Sequence, residues 1–157
     1  MAHAAELFPV LAEPALYEFI EEAPPASVEA LRQKLARSET RRSPDGSEHW
    51  LNWVVRDQSR RVAGCVQATI AANSETNVAY VIGSAYSGRG VATEAVSQML
   101  ELVAKEFGVR SFFVVAERGN VKSIRVAERL GFSEVSAELA VRKGIASNDL
   151  LMQMVLL

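Results

Sequence analysis

Residues 78–93, VAYVIGSAYSGRGVAT, pass from a hydrophobic strand through a tight glycine turn into the start of an amphipathic helix. The helical pattern runs over 91–107, Gly108 is its stop, and residues 110–116 (RSFFVVA) form a second strong strand. A strand–helix–strand unit over 76–116 needs a crossover and therefore a local parallel strand pair. This confines the chain to a mixed α/β sheet with hairpins on either side of the pair. The turn also has a chemical aspect. It sets several backbone N–H groups at a helix N-terminus, where they and the helix dipole suit a phosphate or pyrophosphate. Gly88 and Gly90 carry no Cβ, so a ligand can come close to the backbone. Read alone, the loop fits a phosphate cradle and a plain glycine turn equally well.

The other segments complete the pattern. Residues 4–20 read as a helix or two short helical turns broken at Pro9 and Pro14, and Pro24-Pro25 stops them. Ser27 caps a helix over 27–38 with Val28, Leu31 and Leu35 on one face. SPDGSEH (43–49) is a turn-rich loop, and 49–56 and 61–72 are a strand pair joined through DQSR. The spacing of Trp50 and Trp53 sends them to opposite faces of their strand. In helix 91–107 the apolar face is Val91, Ala95, Met99, Leu102 and Val103, and Glu94 suits the first turn electrostatically. Asn120 caps a short helix through Leu130, which Gly131 ends. Residues 132–142 and 149–156 read as two strands joined by KGIASN.

A length of 157 residues with no repeat, low-complexity tract or linker predicts one domain over 1–157. The net charge of −2 and the lack of a basic run interleaved with aromatics argue against a nucleic-acid surface. One cysteine, Cys65, allows no internal disulfide and fits a reducing cytoplasm. Its place in the strand RVAGCVQATI predicts a small buried hydrophobe rather than a nucleophile. His3 and His49 lack partners at metal-ligand spacing, so no metal is expected. No apolar stretch is long enough to span a membrane, and the start lacks signal-peptide features, so a cytoplasmic protein is expected.

Three phosphate loops compete for 83–93. A nucleotide-triphosphatase loop needs Gly-Lys-Ser/Thr, but Val91 follows Gly90. A dinucleotide loop fits Gly88-Arg89-Gly90, with Thr93 at its third position and Glu117 available for a ribose. This would make the chain an NAD(P)-dependent oxidoreductase. Such a site needs a second mononucleotide half, however, and after residue 117 the pattern turns to short helix and hairpin. The third form, Arg/Gln-Gly-x-Gly-x-Gly/Ala, fits Gly88, Gly90 and Ala92, with Ser87 replacing the Arg or Gln. Further on, Asn120-x-x-Ser123 precedes Glu128-Arg129-Leu130-Gly131-Phe132. These two blocks resemble, in order and spacing, the two acetyl-CoA motifs of the GNAT superfamily of N-acetyltransferases. The wording is closest to its RimJ/RimL-like branch, and the resemblance extends over 3–157.

The resemblance implies a single-domain α+β fold with a mixed, mostly antiparallel sheet and flanking helices. In it the parallel strands 76–82 and 110–116 splay apart. The pantetheine arm of acetyl-CoA would lie in the gap, bonded like an extra strand near Ile82. Pyrophosphate would sit on the loop of Ser87, Gly88, Arg89, Gly90, Val91, Ala92 and Thr93. Asn120 would reach the pantetheine or the reaction centre. The usual thiolate-protonating tyrosine is replaced by Ala127, and Ser123 would take that role. The usual strand glutamate is replaced by Asn77, which leaves Glu75, expected in a turn, as the nearest carboxylate base. No counterpart of the branch's first strand is expected here, and an uncovered sheet edge would invite a homodimer.

The implied reaction is direct transfer of acetyl to a primary amine, either a protein N-terminal α-amine or a small-molecule amine. A missing base favours an α-amine, whose pKa is about 7.7–8.0 against about 10.4 for a lysine-type amine. Tyr17, Phe19, Trp50, Trp53 and Tyr80 are aromatic candidates for the acceptor side, with His49 and Glu117 as weaker polar ones. A non-catalytic acyl-CoA sensor is the alternative that the same departures support.

Overall fold

In the computed structural model, which describes residues 3–157, the strand–helix–strand unit is β3 (Glu75–Ile82), α3 (Val91–Phe107) and β4 (Ser111–Glu117). Before it come α1 (Ala4–Leu11), α2 (Val28–Ala36), β1 (His49–Arg56) and β2 (Val62–Ile70). After it come α4 (Val121–Arg129), β5 (Ser133–Glu134), α5 (Ala137–Arg142) and β6 (Asp149–Val155). The six strands form one sheet in the order β1-β2-β3-β4-β6-β5. Only β3 and β4 run parallel, as the crossover through α3 demands.

The alternation of side chains along each strand divides the core between the two faces. On one face, Leu51, Val66, Ala68, Ile70, Val78, Phe112, Val114, Leu150 and Met152 pack against Val96, Met99, Leu100 and Val103 of α3 and Ala127 of α4. On the other, Ala4, Leu7 and Leu11 of α1 and Leu31 of α2 meet Val54, Val62, Cys65 and Val81. Gly64 is required where β2 and β3 come together, because a Cβ there would lie 2.1 Å from the Val81 carbonyl oxygen.

Three local expectations are corrected. Pro9 lies within α1 instead of breaking it, forfeiting a bond only to the carbonyl of exposed Ala5. The break falls at Ala12–Glu13, where Pro14 forces Glu13 into an extended conformation and opens a 3-10 turn over Pro14–Tyr17. The buried stripe of α3 is Val96, Met99, Leu100 and Val103, whereas Leu102 is 37% exposed. β1 is the last strand on that flank, so Leu102 and Ala95 look into an open groove beside Trp53. Finally, 132–142 is mostly helical. Ser136 caps α5 by accepting from the Leu139 N–H, and Gly144, at φ 70°, closes it with N–H bonds from Gly144 to Val141 and from Ile145 to Ala140.

Among the described residues no strand precedes β1. Its outer edge is met only by an isolated bridge, Arg42 to His49, with the Trp50 N–H donating to the Arg41 carbonyl. No helix is long and apolar enough to cross a membrane among the described residues.

Candidate active site

β3 and β4 are paired only from Glu75–Asn77 to Ser111–Phe113. Beyond that point they separate, while β3 stays bonded to β2 as far as Ile82 and β4 to β6 as far as Glu117. The facing edges therefore present unpaired main-chain groups, and buried groups of that kind demand a partner. An extended ligand laid in the gap would complete both edges as an added strand does.

The open end of the gap leads into the glycine loop. Gly83 anchors it by donating to the Ala63 carbonyl at 2.8 Å, and a 3-10 turn, Ser84–Tyr86, follows. Gly88 and Gly90 then take φ values of 75° and 77°, a left-handed backbone that glycine adopts without strain. A Cβ on either would meet nothing within 4 Å, so the space above the loop is open. No side chain caps α3. Among the described residues, the N–H groups of Gly88, Gly90, Val91, Ala92 and Thr93 have no acceptor. The Thr93 hydroxyl is buried and unpartnered as well. An orphaned hydroxyl beside a row of free amides at a helix N-terminus is a donor set for an anion. These residues fit the pyrophosphate of coenzyme A. Ser87 donates its N–H to Ser84 at 3.1 Å, and Arg89 extends to the surface with no carboxylate partner among the described residues.

The far wall of the gap is the first turn of α4. Asn120 caps it as expected, its side-chain oxygen accepting from the Ser123 N–H at 3.2 Å. Ser123 is tied to β3. The Tyr80 hydroxyl donates to the Ser123 carbonyl at 2.7 Å, and Ser123 Oγ donates to the Tyr80 oxygen at 3.0 Å. Burial pushes the Tyr80 phenol above its usual pKa of 10.0, with the bond from Ser123 acting weakly the other way. Tyr80 is thus on the α3–α4 face. Its contact with Ser123 joins residues far apart in sequence, and only its shared face with Val78 hinted at it.

The opposite face of the gap is covered by the segment after α1. Glu13 accepts from the Ser84 N–H at 3.1 Å and from Ser84 Oγ at 2.6 Å, which ties this cover to the start of the loop. No local sequence signal announces that link. The Phe19 ring lies over Gly119, where a Cβ would be 3.0 Å from it, so the cover reaches the β4–α4 turn. Tyr17 donates its hydroxyl to the Leu11 carbonyl at 2.8 Å, and burial raises its pKa.

The other candidates are engaged in bonds and packing of their own. Glu75 is the first residue of β3 and not in a turn. It sits at the closed end of the parallel pair, seven residues from Ile82, which is about 23 Å along a strand. Lys143 donates to it at 2.7 Å, and that bond holds its carboxyl below the usual range. Lys143 also lies over the Phe113 ring at 4.4 Å, so this cluster docks the end of α5. Glu117 accepts from Asn148 at 2.9 Å. With one parallel pair and a two-residue β5, the sheet has no second mononucleotide half. His49 stacks edge-on to Phe107 at 5.1 Å, Trp50 donates to Glu48 at 2.9 Å, and Trp53 faces α3. Burial pushes the Cys65 thiol up to about 11, away from the thiolate form that a nucleophile needs.

Comparison with known proteins bears on the family and the fold. A family model described as an acetyltransferase (GNAT) domain matches residues 1–133. The spermidine N-acetyltransferase of Vibrio cholerae, solved with CoA and spermine, superposes with a TM-score of 0.75 at 15% identity, over 98% of this chain and 90% of that one. A GNAT-family acetyltransferase of Bacillus anthracis gives 0.76 at 14%, over 98% and 89%. A GCN5-related N-acetyltransferase of Brucella melitensis gives 0.75 at 24%, over 98% and 71%. The comparison with curated proteins returns no match.

Proposed function

This chain belongs to the GNAT acetyltransferase family, and on that footing we propose that it transfers acetyl from acetyl-CoA directly to a primary amine, with a low-pKa α-amine as the preferred acceptor. The observation that carries this reading is the parallel pair that opens after three residues onto a loop of unsatisfied amides. Acetyl-CoA supplies the thioester.

The chain's own groups then have distinct tasks. The facing edges of β3 and β4 orient the pantetheine arm, and the amides from Gly88 to Thr93 hold the pyrophosphate. A main-chain N–H near Ile82 stabilises negative charge developing on the carbonyl oxygen. Ser123 Oγ, relieved of its bond to Tyr80, gives its proton to the departing thiolate, and the proton shed by the attacking nitrogen returns through water to restore the Ser123 hydroxyl. Asn120 orients that helix turn through its cap. Holding both reactants in one cleft supplies proximity without a covalent enzyme intermediate.

The acceptor follows from what is missing. Asn77 cannot accept a proton, and Glu75 is held by Lys143 at the closed end. An amine largely neutral near pH 8 needs little help from a base, which favours an α-amine. This agrees with the RimJ/RimL-like wording of the motifs. Polyamines are the second class to test, since the Vibrio cholerae relative is a spermidine N-acetyltransferase.

The test is thiol release from acetyl-CoA with a panel of amines: a peptide with a free N-terminus, spermidine and an aminoglycoside. Release that requires both reactants supports the proposal. Acetyl-CoA binding without release for any amine would make the protein an acyl-CoA sensor.

A further inference from the structure

The gap between β3 and β4 opens to both faces of the sheet, and different groups meet it on each. On the α3–α4 face stand Tyr80 and Ser123. On the other face Val81 packs against α1, and Glu13 sits beside Gly83 and Ser84, the residues that follow Ile82.

Resting on the acetyl-transfer reading above, we propose that Glu13 is the carboxylate that receives the acceptor amine. Its uncommitted oxygen accepts an N–H of the incoming nitrogen and takes that proton as the amide forms.

The carboxylate is fixed at one end and open at the other. Glu13 Oε2 accepts from the Ser84 N–H at 3.1 Å and from Ser84 Oγ at 2.6 Å, whereas Oε1 has no donor among the described residues. Pro14 holds Glu13 in an extended conformation, so the backbone sets the aim of the side chain. Gly83 lets it come close to the end of β3, where a Cβ would stand 3.4 Å from Oε1. Ser84 is two residues after Ile82, within about 7 Å of it along the chain. Glu75 is seven residues from Ile82, about 23 Å away. The segment that carries Glu13 also crosses the gap, because the Phe19 ring lies over Gly119 in the turn between β4 and α4. An acceptor entering on this face therefore passes between a carboxylate and an aromatic ring, and both attract an amine.

The step balances within one cleft. The nitrogen lone pair forms the N–C bond, the C–S bond breaks, and Ser123 Oγ gives its proton to sulfur. The nitrogen, positive once bonded, releases its proton to Glu13 Oε1 and from there to water, through which the Ser123 hydroxyl is restored. Glu13 takes a proton only after attack, so the acceptor still arrives as a neutral amine and the preference for an α-amine is unchanged.

A simpler role for Glu13 is a latch that ties this cover to the start of the loop. A latch needs the two bonds to Ser84 and no charge.

Thiol release from acetyl-CoA with the best acceptor of the amine panel separates the two. Glu13→Gln keeps an oxygen for the Ser84 donors and puts an NH2 where Oε1 stood. It should lower kcat about a hundredfold. Its affinity for acetyl-CoA, measured by titration, should stay within about twofold. Ser84→Ala loses a latch bond and leaves the carboxylate, and its turnover should stay within about fivefold. Melting of each unliganded variant checks that it folds.

Full turnover by Glu13→Gln overturns the inference, and so does Ser84→Ala losing as much turnover as Glu13→Gln. A Glu13→Gln protein whose affinity for acetyl-CoA falls as far as its turnover overturns it too, because the carboxylate would then serve the loop. In each of these cases thiol release by the unsubstituted protein leaves the acetyl-transfer reading intact. If the unsubstituted protein binds acetyl-CoA and releases no thiol for any amine, both readings fall together.

Discussion

Ser123 has three bonds of three kinds: its N–H to Asn120, its carbonyl to Tyr80, and its hydroxyl to the Tyr80 oxygen. The first two hold the backbone, and only the third is free to change during a reaction. Ser123→Ala should therefore lower turnover by about a hundredfold, the usual worth of a positioned proton donor. Its affinity for acetyl-CoA, measured by titration, should stay within about twofold. Tyr80→Phe keeps the ring in the core and loses both hydroxyl bonds, at about 1–2 kcal/mol of stability in a denaturant titration. The raised phenol pKa has a definite sign. Its contribution to stability is intact below the ordinary value of 10.0 and declines as pH rises through the higher folded value, because the unfolded chain ionises first. A spectrophotometric titration should show two tyrosines ionising late, Tyr17 and Tyr80, and Tyr80→Phe should remove one of these two late components. Ser123 and Asn120 were legible because their spacing is a local motif. The bond of Tyr80 to Ser123 was not foreseen, because its partner lies 43 residues on and one layer away. Glu75 was misjudged for a related reason. Its neighbours in sequence suggested a turn, while its bond to Lys143 spans 68 residues.

At the scale of elements, capping and turn chemistry decide more than hydrophobic pattern. Ser27 and Ser136 both accept from the N–H three residues on, yet only the helix after Ser27 was expected. The stretch 132–142 alternates well enough to pass for a strand, and the signals missed were Ser136 at one end and Gly144 at the other. Ser136→Ala should destabilise the protein by about 1 kcal/mol. Gly64→Ala should do much more. A Cβ placed 2.1 Å from the Val81 carbonyl oxygen must push β2 and β3 apart, at about 3 kcal/mol or more in chemical denaturation. Because Val81 lies one residue before Ile82, the same substitution should also weaken acetyl-CoA binding.

For the whole molecule, a ligand that binds across the cleft is linked to folding. Acetyl-CoA at a hundred times its dissociation constant should add about 2.7 kcal/mol to the native state. In a domain of this size that raises the melting midpoint by roughly 5–11 °C. NADH should leave the midpoint where it is, since the sheet lacks a second mononucleotide half. Coenzyme A should act like acetyl-CoA, because the loop amides and strand edges proposed to bind it would hold the carrier and not the acetyl group.

The sequence by itself determined the order of elements as far as α4, the crossover and hence the parallel pair, the two helix caps at Ser27 and Asn120, and the glycine positions of the loop. Each of these depends on residues within one or two turns of one another, so local spacing carries them. Tertiary structure alone decided where β3 and β4 part, which flank of α3 is buried, and that Tyr80 meets Ser123. It also decided that Glu13 holds Ser84 and that Glu75 is tied to Lys143. Those outcomes arise from packing between segments far apart in the chain, where a side chain's partner is set by the layer it faces and not by its neighbours in sequence.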